Sequence, residues 1–267
     1  MSKPTDGCRW LRLAPPNPSG SVVLVHGYGE HIDRFAPFAE RLSEHGFQVT
    51  GRDLRGHGFS SARRGYIDAF SDYVVDVEEA LAESRFKPIL IGQSMGALVA
   101  LHVALRQPER VAGLVLFSPF LRLRLMVPKW KVALASGLSA WWPGFSLPAG
   151  LRGEDMTRDP KAAAIYDRDP LNNKRATARW FTETRAAQAS MWASAAQVTQ
   201  PCLVIHGEAD PVADPQASVE FFANLGSRDK TLRMIPHMRH EPLHELEPDR
   251  VRTIDDVVAW VEQHRSK

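Results

Sequence analysis

The 267 residues, 44% of them hydrophobic and 24% charged, suffice to bury a large core in one domain, with or without an inserted piece. Basic side chains number 33 and acidic ones 31, a formal net charge of +2 that excludes a general attraction to nucleic acid. Two cysteines in unrelated contexts, Cys8 and Cys202, exclude a disulfide framework and a cysteine-based metal site.

Residues 1–20 lack the apolar core of a signal peptide, and no stretch approaches the roughly 20 apolar residues of a membrane span, so a cytoplasmic protein is expected. "SVVLVHG" (21–27) is a β-branched run ending in glycine, which suits a buried parallel strand. Phe35, Phe38, Ala39 and Leu42 then recur at helical spacing, closed by Gly46. "FQVTGRD" (47–53) predicts the next strand, and Phe70, Tyr73, Val74, Val77 and Leu81 mark one face of a helix. "PILIGQS" (88–94) predicts a third strand, Met95–Arg106 a helix, and "VAGLVLFSP" (111–119) a fourth strand. After residue 195 come "PCLVIHG" (201–207), a helix from Pro215 to Leu225, "KTLRMIP" (230–236) and a last helix carrying Val251, Ile254, Val257, Val258 and Val261. Alternation of this kind predicts an α/β fold, a mostly parallel sheet with helices on both faces.

The alternation fails between residues 121 and 195. Trp130, Leu134, Leu138 and Trp141 recur at helical spacing, and a second stripe, Trp180, Thr184, Ala187 and Met191, follows a capping residue, Thr177. No strand signal occurs there. The expectation is a core of residues 1–120 and 196–267 with a helical lid of residues 121–195 inserted after the fourth strand, over the carboxyl edge of the sheet.

In "LIGQSMGAL" (90–98) a serine interrupts the apolar run where a strand gives way to a helix. G-x-S-x-G in this context is a nucleophile elbow: the turn is too sharp for side chains at Gly92 and Gly96, and it pushes the Ser94 hydroxyl out above the sheet. A serine hydroxyl needs a base, itself oriented by an acid, and on this fold both follow it in the chain. Candidate bases lie in "IPHMRHEPLHE": His237, at the strand end; His240; and His244, drawn toward the next helical turn. A loop that must reach out before returning over Ser94 favours His240. "HGEADPVADP" offers Glu208, Asp210 and Asp214 as acids; Asp214 precedes Pro215 and reads as a helix cap, and loop position favours Asp210. The developing oxyanion needs donors, and the backbone amides of Met95 and of Tyr28, in "HGYGEH", are the candidates.

"HGYGEHIDRF" (26–35), "RDLRGHGFS" (52–60), "GQSMGA" (92–97), "TRDP" with "DPL", "HGEADPV" (206–212) and "HEPLHE" (240–245) stand in one order across nearly the whole chain. In this the chain resembles the monoacylglycerol lipase and lysophospholipase group of the α/β-hydrolases, akin to the serine aminopeptidase S33 hydrolases. It departs from that group at Gln93 and Ala97, where histidine and glycine are frequent, and at Tyr28, where a small apolar residue is. The resemblance implies an α/β-hydrolase fold, the triad Ser94, Asp210 and His240, an oxyanion hole at Tyr28 and Met95, and ester hydrolysis through an acyl-enzyme without metal or organic cofactor. Monoacylglycerols or lysophospholipids are the expected substrates, with Trp130, Leu134, Leu138 and Trp141 lining an acyl site and the lid making transient contact with a membrane or micelle surface. A small-ester esterase and a proline-releasing aminopeptidase use the same triad, and a non-catalytic hydrolase-fold binding protein is the alternative of another class.

Overall fold

The computed structural model describes residues 7–124 and 129–266, the side chains of 129–134 excepted. Strands β1 (Trp10–Leu13) and β2 (Gly20–Val25) open the chain, followed by α1 (Ala36–Glu44), β3 (Phe47–Arg52), α2 (Ser71–Ala82), β4 (Ile89–Gln93), α3 (Met95–Arg106) and β5 (Gly113–Phe117). An insert then holds α4 (Lys129–Trp141), β6 (Ser146–Pro148), α5 (Gly153–Met156), α6 (Pro160–Arg168), β7 (Arg175–Thr177) and α7 (Ala178–Ser194). The core resumes with β8 (Cys202–Gly207), α8 (Pro215–Asn224), β9 (Lys230–Ile235) and α9 (Asp249–His264).

The main sheet runs β1-β3-β2-β4-β5-β8-β9, and among the described residues every pairing in it is parallel except that of β1 with β3. Successive strand residues face opposite sides. Val23, Leu90, Leu114 and Val204 pack with α2, α3 and α8; Val22, Ile89, Val115 and Leu203 pack with α1 and α9. Burial on both faces is why these strands read as unbroken apolar runs. The chain passes from β2 to β3 on one side, then returns to β4 on the other. The carboxyl ends of β2 and β4 therefore flank the switch point, where a crevice opens in sheets of this kind.

Two features escaped the sequence reading. Strand β1 is a four-residue antiparallel edge whose pairing with β3 (Trp10 opposite Arg52, Leu13 opposite Val49) comes from its partner and not from its own short pattern. The insert, expected to hold no strand, contains the antiparallel pair β6–β7, three residues each, too short to show a period. That pair lies at the seam with the core. Asn173 N donates to Gly29 O at 2.8 Å, and the Thr177 hydroxyl donates to Gly65 O at 2.8 Å while accepting from Trp180 N to cap α7. Farther along α7, Gln188 Nε2 and Trp192 Nε1 donate to the carbonyls of Phe120 and Leu121.

The glycines of this framework differ in what surrounds them. A Cβ on Gly96 would stand 2.2 Å from the carbonyl oxygen of Val25, whereas one on Gly137, inside α4, would meet nothing within 4 Å. Gly96→Ala should therefore lower the free energy of urea unfolding by about 3 kcal/mol or more, and Gly137→Ala should raise it by up to about 1 kcal/mol.

Candidate active site

Ser94 occupies the single residue between β4 and α3, with φ +53° and ψ −114°, a conformation that costs a non-glycine residue of order 1–3 kcal/mol. The turn is held from both sides: Ser94 N donates to Phe117 O at 2.8 Å, and Phe120 N donates to Ser94 O at 3.1 Å. Gly92 and Gly96 make it possible, since a Cβ on Gly92 would stand 2.5 Å from Gly96 O. Met95 is the first residue of α3, so its N–H belongs to the turn that lacks intrahelical acceptors.

Of the three candidate bases, His240 alone bonds a candidate acid: Nδ1 lies 2.7 Å from Asp210 Oδ2, and both residues are buried. His237 sits exposed at the β9 turn with φ +62°, and His244 closes a 3-10 turn where Nδ1 lies 3.1 Å from Glu241. Glu208 is exposed, and Asp214 caps α8 while pairing with Arg122. Asp210 Oδ1 accepts from Val212 N and Ala213 N at 2.7 and 3.0 Å, and Oδ2 also meets Nε2 of His206 at 3.0 Å. Burial opposes the charge of Asp210, but the two imidazoles outweigh it and hold the carboxyl well below its usual range. Burial likewise opposes a cation on His240, yet Asp210, with Glu241 and Glu30 beyond it, holds this imidazole above its ordinary value. Gln93, directly before the serine, donates from Nε2 to the His240 carbonyl at 2.9 Å and so ties the histidine loop to the elbow.

The loop after β2 is equally constrained. His26 Nε2 accepts from Leu54 N, so Nδ1 carries the proton and donates to Gly27 O at 2.8 Å; Gly27 N donates to Glu30 Oε1 at 2.6 Å. The Tyr28 hydroxyl donates to Arg175 O at 2.5 Å and accepts from Asn173 Nδ2 at 3.2 Å. Its ring lies 3.8 Å from that of Trp180, whose Nε1 donates to Met95 Sδ at 3.4 Å. One tryptophan of the insert thus touches both residues whose amides were expected to serve the oxyanion.

Ser94 and His240 line one cavity of about 1200 Å³, larger than the roughly 300–1,000 Å³ usual for drug-sized ligands. Leu138, Phe145, Leu147, Met156, Trp180 and Phe181 form much of its apolar wall. Trp130 and Leu134 lie outside the described side chains. Trp141 stands apart from the cavity with 92% of its surface exposed, which corrects its expected place in the acyl wall. Trp141 is the last residue of α4, one turn beyond Leu138, which does line the cavity, while Ser139 faces α7 and bonds Thr182 there at 2.8 Å. Beside His240 the lining is acidic: Glu30 and Glu241 both reach the cavity, and Arg34 behind them pairs with each.

The serine aminopeptidase S33 family model matches residues 16–247. The chain belongs to this family. It is 31% identical to a monoacylglycerol lipase of Mycolicibacterium smegmatis over 93% of this chain and 90% of that one, and 27% identical to a phospholipase of Bacillus subtilis over 92% and 96%. The crystal structure of a monoacylglycerol lipase from Paleococcus ferrophilus superimposes with a TM-score of 0.90 at 30% identity, covering 96% of this chain and 99% of that one. The seven-stranded sheet is accordingly an α/β-hydrolase fold.

For this S33 hydrolase the sequence left Trp180, Gln93, Glu241 and His206 without a role in the site. Trp180 was visible as one position of a helix stripe, and Gln93 only as a departure from its relatives. Removing the Tyr28 hydroxyl while keeping its amide should loosen the loop without emptying it. Tyr28→Phe should lower kcat for p-nitrophenyl butyrate by about 5- to 10-fold with KM little changed, the equivalent of about 1 kcal/mol, measured by steady-state kinetics.

Proposed function

We propose that this chain is a serine hydrolase of long-chain monoesters, monoacylglycerols foremost, working through Ser94, His240 and Asp210. The observation that carries the reading is that Ser94 and a His240 bonded to a buried carboxylate line the same large apolar cavity. His240 takes the Ser94 proton as the hydroxyl oxygen attacks the ester carbonyl, and the amides of Tyr28 and Met95 receive the oxyanion. His240 returns the proton to the departing alcohol; the same base then activates a water that releases the fatty acid and restores Ser94. Asp210 keeps the imidazole in the tautomer with Nε2 free to accept.

The acidic pair beside His240 bears on the head group. Arg34 is already bound by Glu30 and Glu241, so a phosphate placed there meets two carboxylates and no available cation from Arg34. A glycerol head finds hydrogen-bond acceptors in the same place, which favours monoacylglycerols over lysophospholipids. Release of an N-terminal residue from a peptide would use those carboxylates to hold the amine, and Arg34 occupies them. Residues 121–195 act as a lid in this reading, and Trp141, Trp142 and Leu147, exposed on its surface, supply the contact with a lipid surface.

A substrate series tests the proposal. Across p-nitrophenyl esters from acetate upward, kcat/KM should rise by up to about fourfold per methylene until the cavity is full, since each buried methylene contributes about 0.8 kcal/mol. A monoacylglycerol should be cleaved faster than the lysophospholipid of the same chain. Leu138→Ala should cost more on the long esters than on acetate, and Trp141→Ala should cost the same on both. Ser94→Ala, His240→Ala and Asp210→Asn should each lower turnover by about three orders of magnitude or more without unfolding the protein. A falling dependence on chain length would discard the lipid reading in favour of small esters.

A further inference from the structure

Asp210 Oδ2 serves two imidazoles. His240 Nδ1 approaches it at 2.7 Å from the loop after β9, and His206 Nε2 at 3.0 Å from the carboxyl end of β8. His206, Asp210 and Ser218 are buried to within 1% of their surface, and His206 does not line the cavity, so its ring is set aside from any substrate. An ionised carboxylate only accepts, which puts a proton on His206 Nε2; in the neutral ring Nδ1 then accepts from the Ser218 hydroxyl at 2.7 Å, on α8. Ser218, His206, Asp210 and His240 form one continuous run of hydrogen bonds ending at the base.

We propose that His206 is a positioning residue for the base: its Nε2–H fixes the Asp210 carboxylate and shares the charge on the oxygen that holds His240, which sets how readily His240 takes a proton. Two donors on one oxygen each receive less of its charge than one donor would. Removing the His206 donor leaves the full charge to the His240 imidazolium, and the protonated form of His240 gains. The base then needs a higher pH to be free. The other charged groups facing His240 stay in place throughout: Glu241 and Glu30 with Arg34 between them, and His244 on Glu241.

The inference rests on His240 being the base, and the test separates the two. His206→Gln keeps a donor that reaches Asp210 and gives up the bond to Ser218; His206→Asn keeps the Ser218 partner and is too short to reach Asp210. We expect the acidic limb of the kcat/KM–pH profile to move up by about one pH unit in His206→Asn and to stay within about 0.3 unit of the parent in His206→Gln. Equal movement in both, or none in His206→Asn, would overturn the proposal, since a packing role would change kcat or stability and leave the limb alone. Should His206→Asn not fold, His206→Met, which fills much of the same space and donates to nothing, must move the limb in the same direction, and an unmoved limb there overturns the proposal. Titration of the His240 ring followed by NMR reads the same shift without turnover. Loss of all ester hydrolysis in the parent protein would fail the functional reading, whereas an unmoved His240 titration in His206→Asn would fail this one.

Discussion

The first turn of α3 lies against the backbone of β2 more closely than any residue with a Cβ permits, because Gly96 faces the carbonyls of Val25 and His26 and Gly92 faces Gly96 in turn. That approach fixes the distance between the carboxyl ends of β2 and β4, and with it the separation of the Tyr28 loop from Ser94. It also forces Ser94 into a positive φ, a strain that the surrounding sheet and helix contacts absorb. The bonds from Ser94 N to Phe117 O and from Phe120 N to Ser94 O extend the constraint to β5, and Gln93 extends it to the histidine loop. Little of the site can shift without moving the elbow.

Around this frame the buried charges of Asp210 and of the Arg34 cluster are compensated locally. Asp210 lies in the interior with two backbone amides on one oxygen and two imidazoles on the other, a full set of partners for a carboxylate that would otherwise cost several kcal/mol to desolvate. Arg34 sits between Glu30 and Glu241 in the same manner, and Glu30 at once receives the amide of Gly27. The ion cluster, the loop after β2 and the histidine loop are therefore one hydrogen-bonded assembly. The insert joins it through Tyr28 and Trp180, so the segment that lines much of the cavity also holds the loop and the first turn of α3.

Much of this is legible in the amino-acid sequence. Parallel strands buried on both faces announce themselves as apolar runs, and the helices between them as stripes, so the core alternation was readable from residue 20 onward. The elbow was readable because its glycines answer a backbone demand that no other residue meets. Loop position favours Asp210 and His240 over their neighbours and the family resemblance singles them out, while Asp214 reads as a cap and behaves as one. What stayed hidden depends on partners distant in sequence. Strand β1 takes its structure from β3, β6 and β7 are three residues each, and the roles of Trp180 and Gln93 exist only through Met95, Tyr28 and His240. Trp141 shares the stripe of Leu138 but ends α4 and stands exposed, and an evenly apolar stripe does not reveal where along it the cavity stops.

The role proposed for Ser94, the nucleophile, is open to covalent trapping. Treating the folded protein with a long-chain fluorophosphonate and mapping the adduct by peptide mass spectrometry should yield one modified residue, Ser94, with ester hydrolysis lost in proportion to labelling. An adduct on another serine, or undiminished hydrolysis in protein fully labelled at Ser94, would contradict a nucleophilic Ser94.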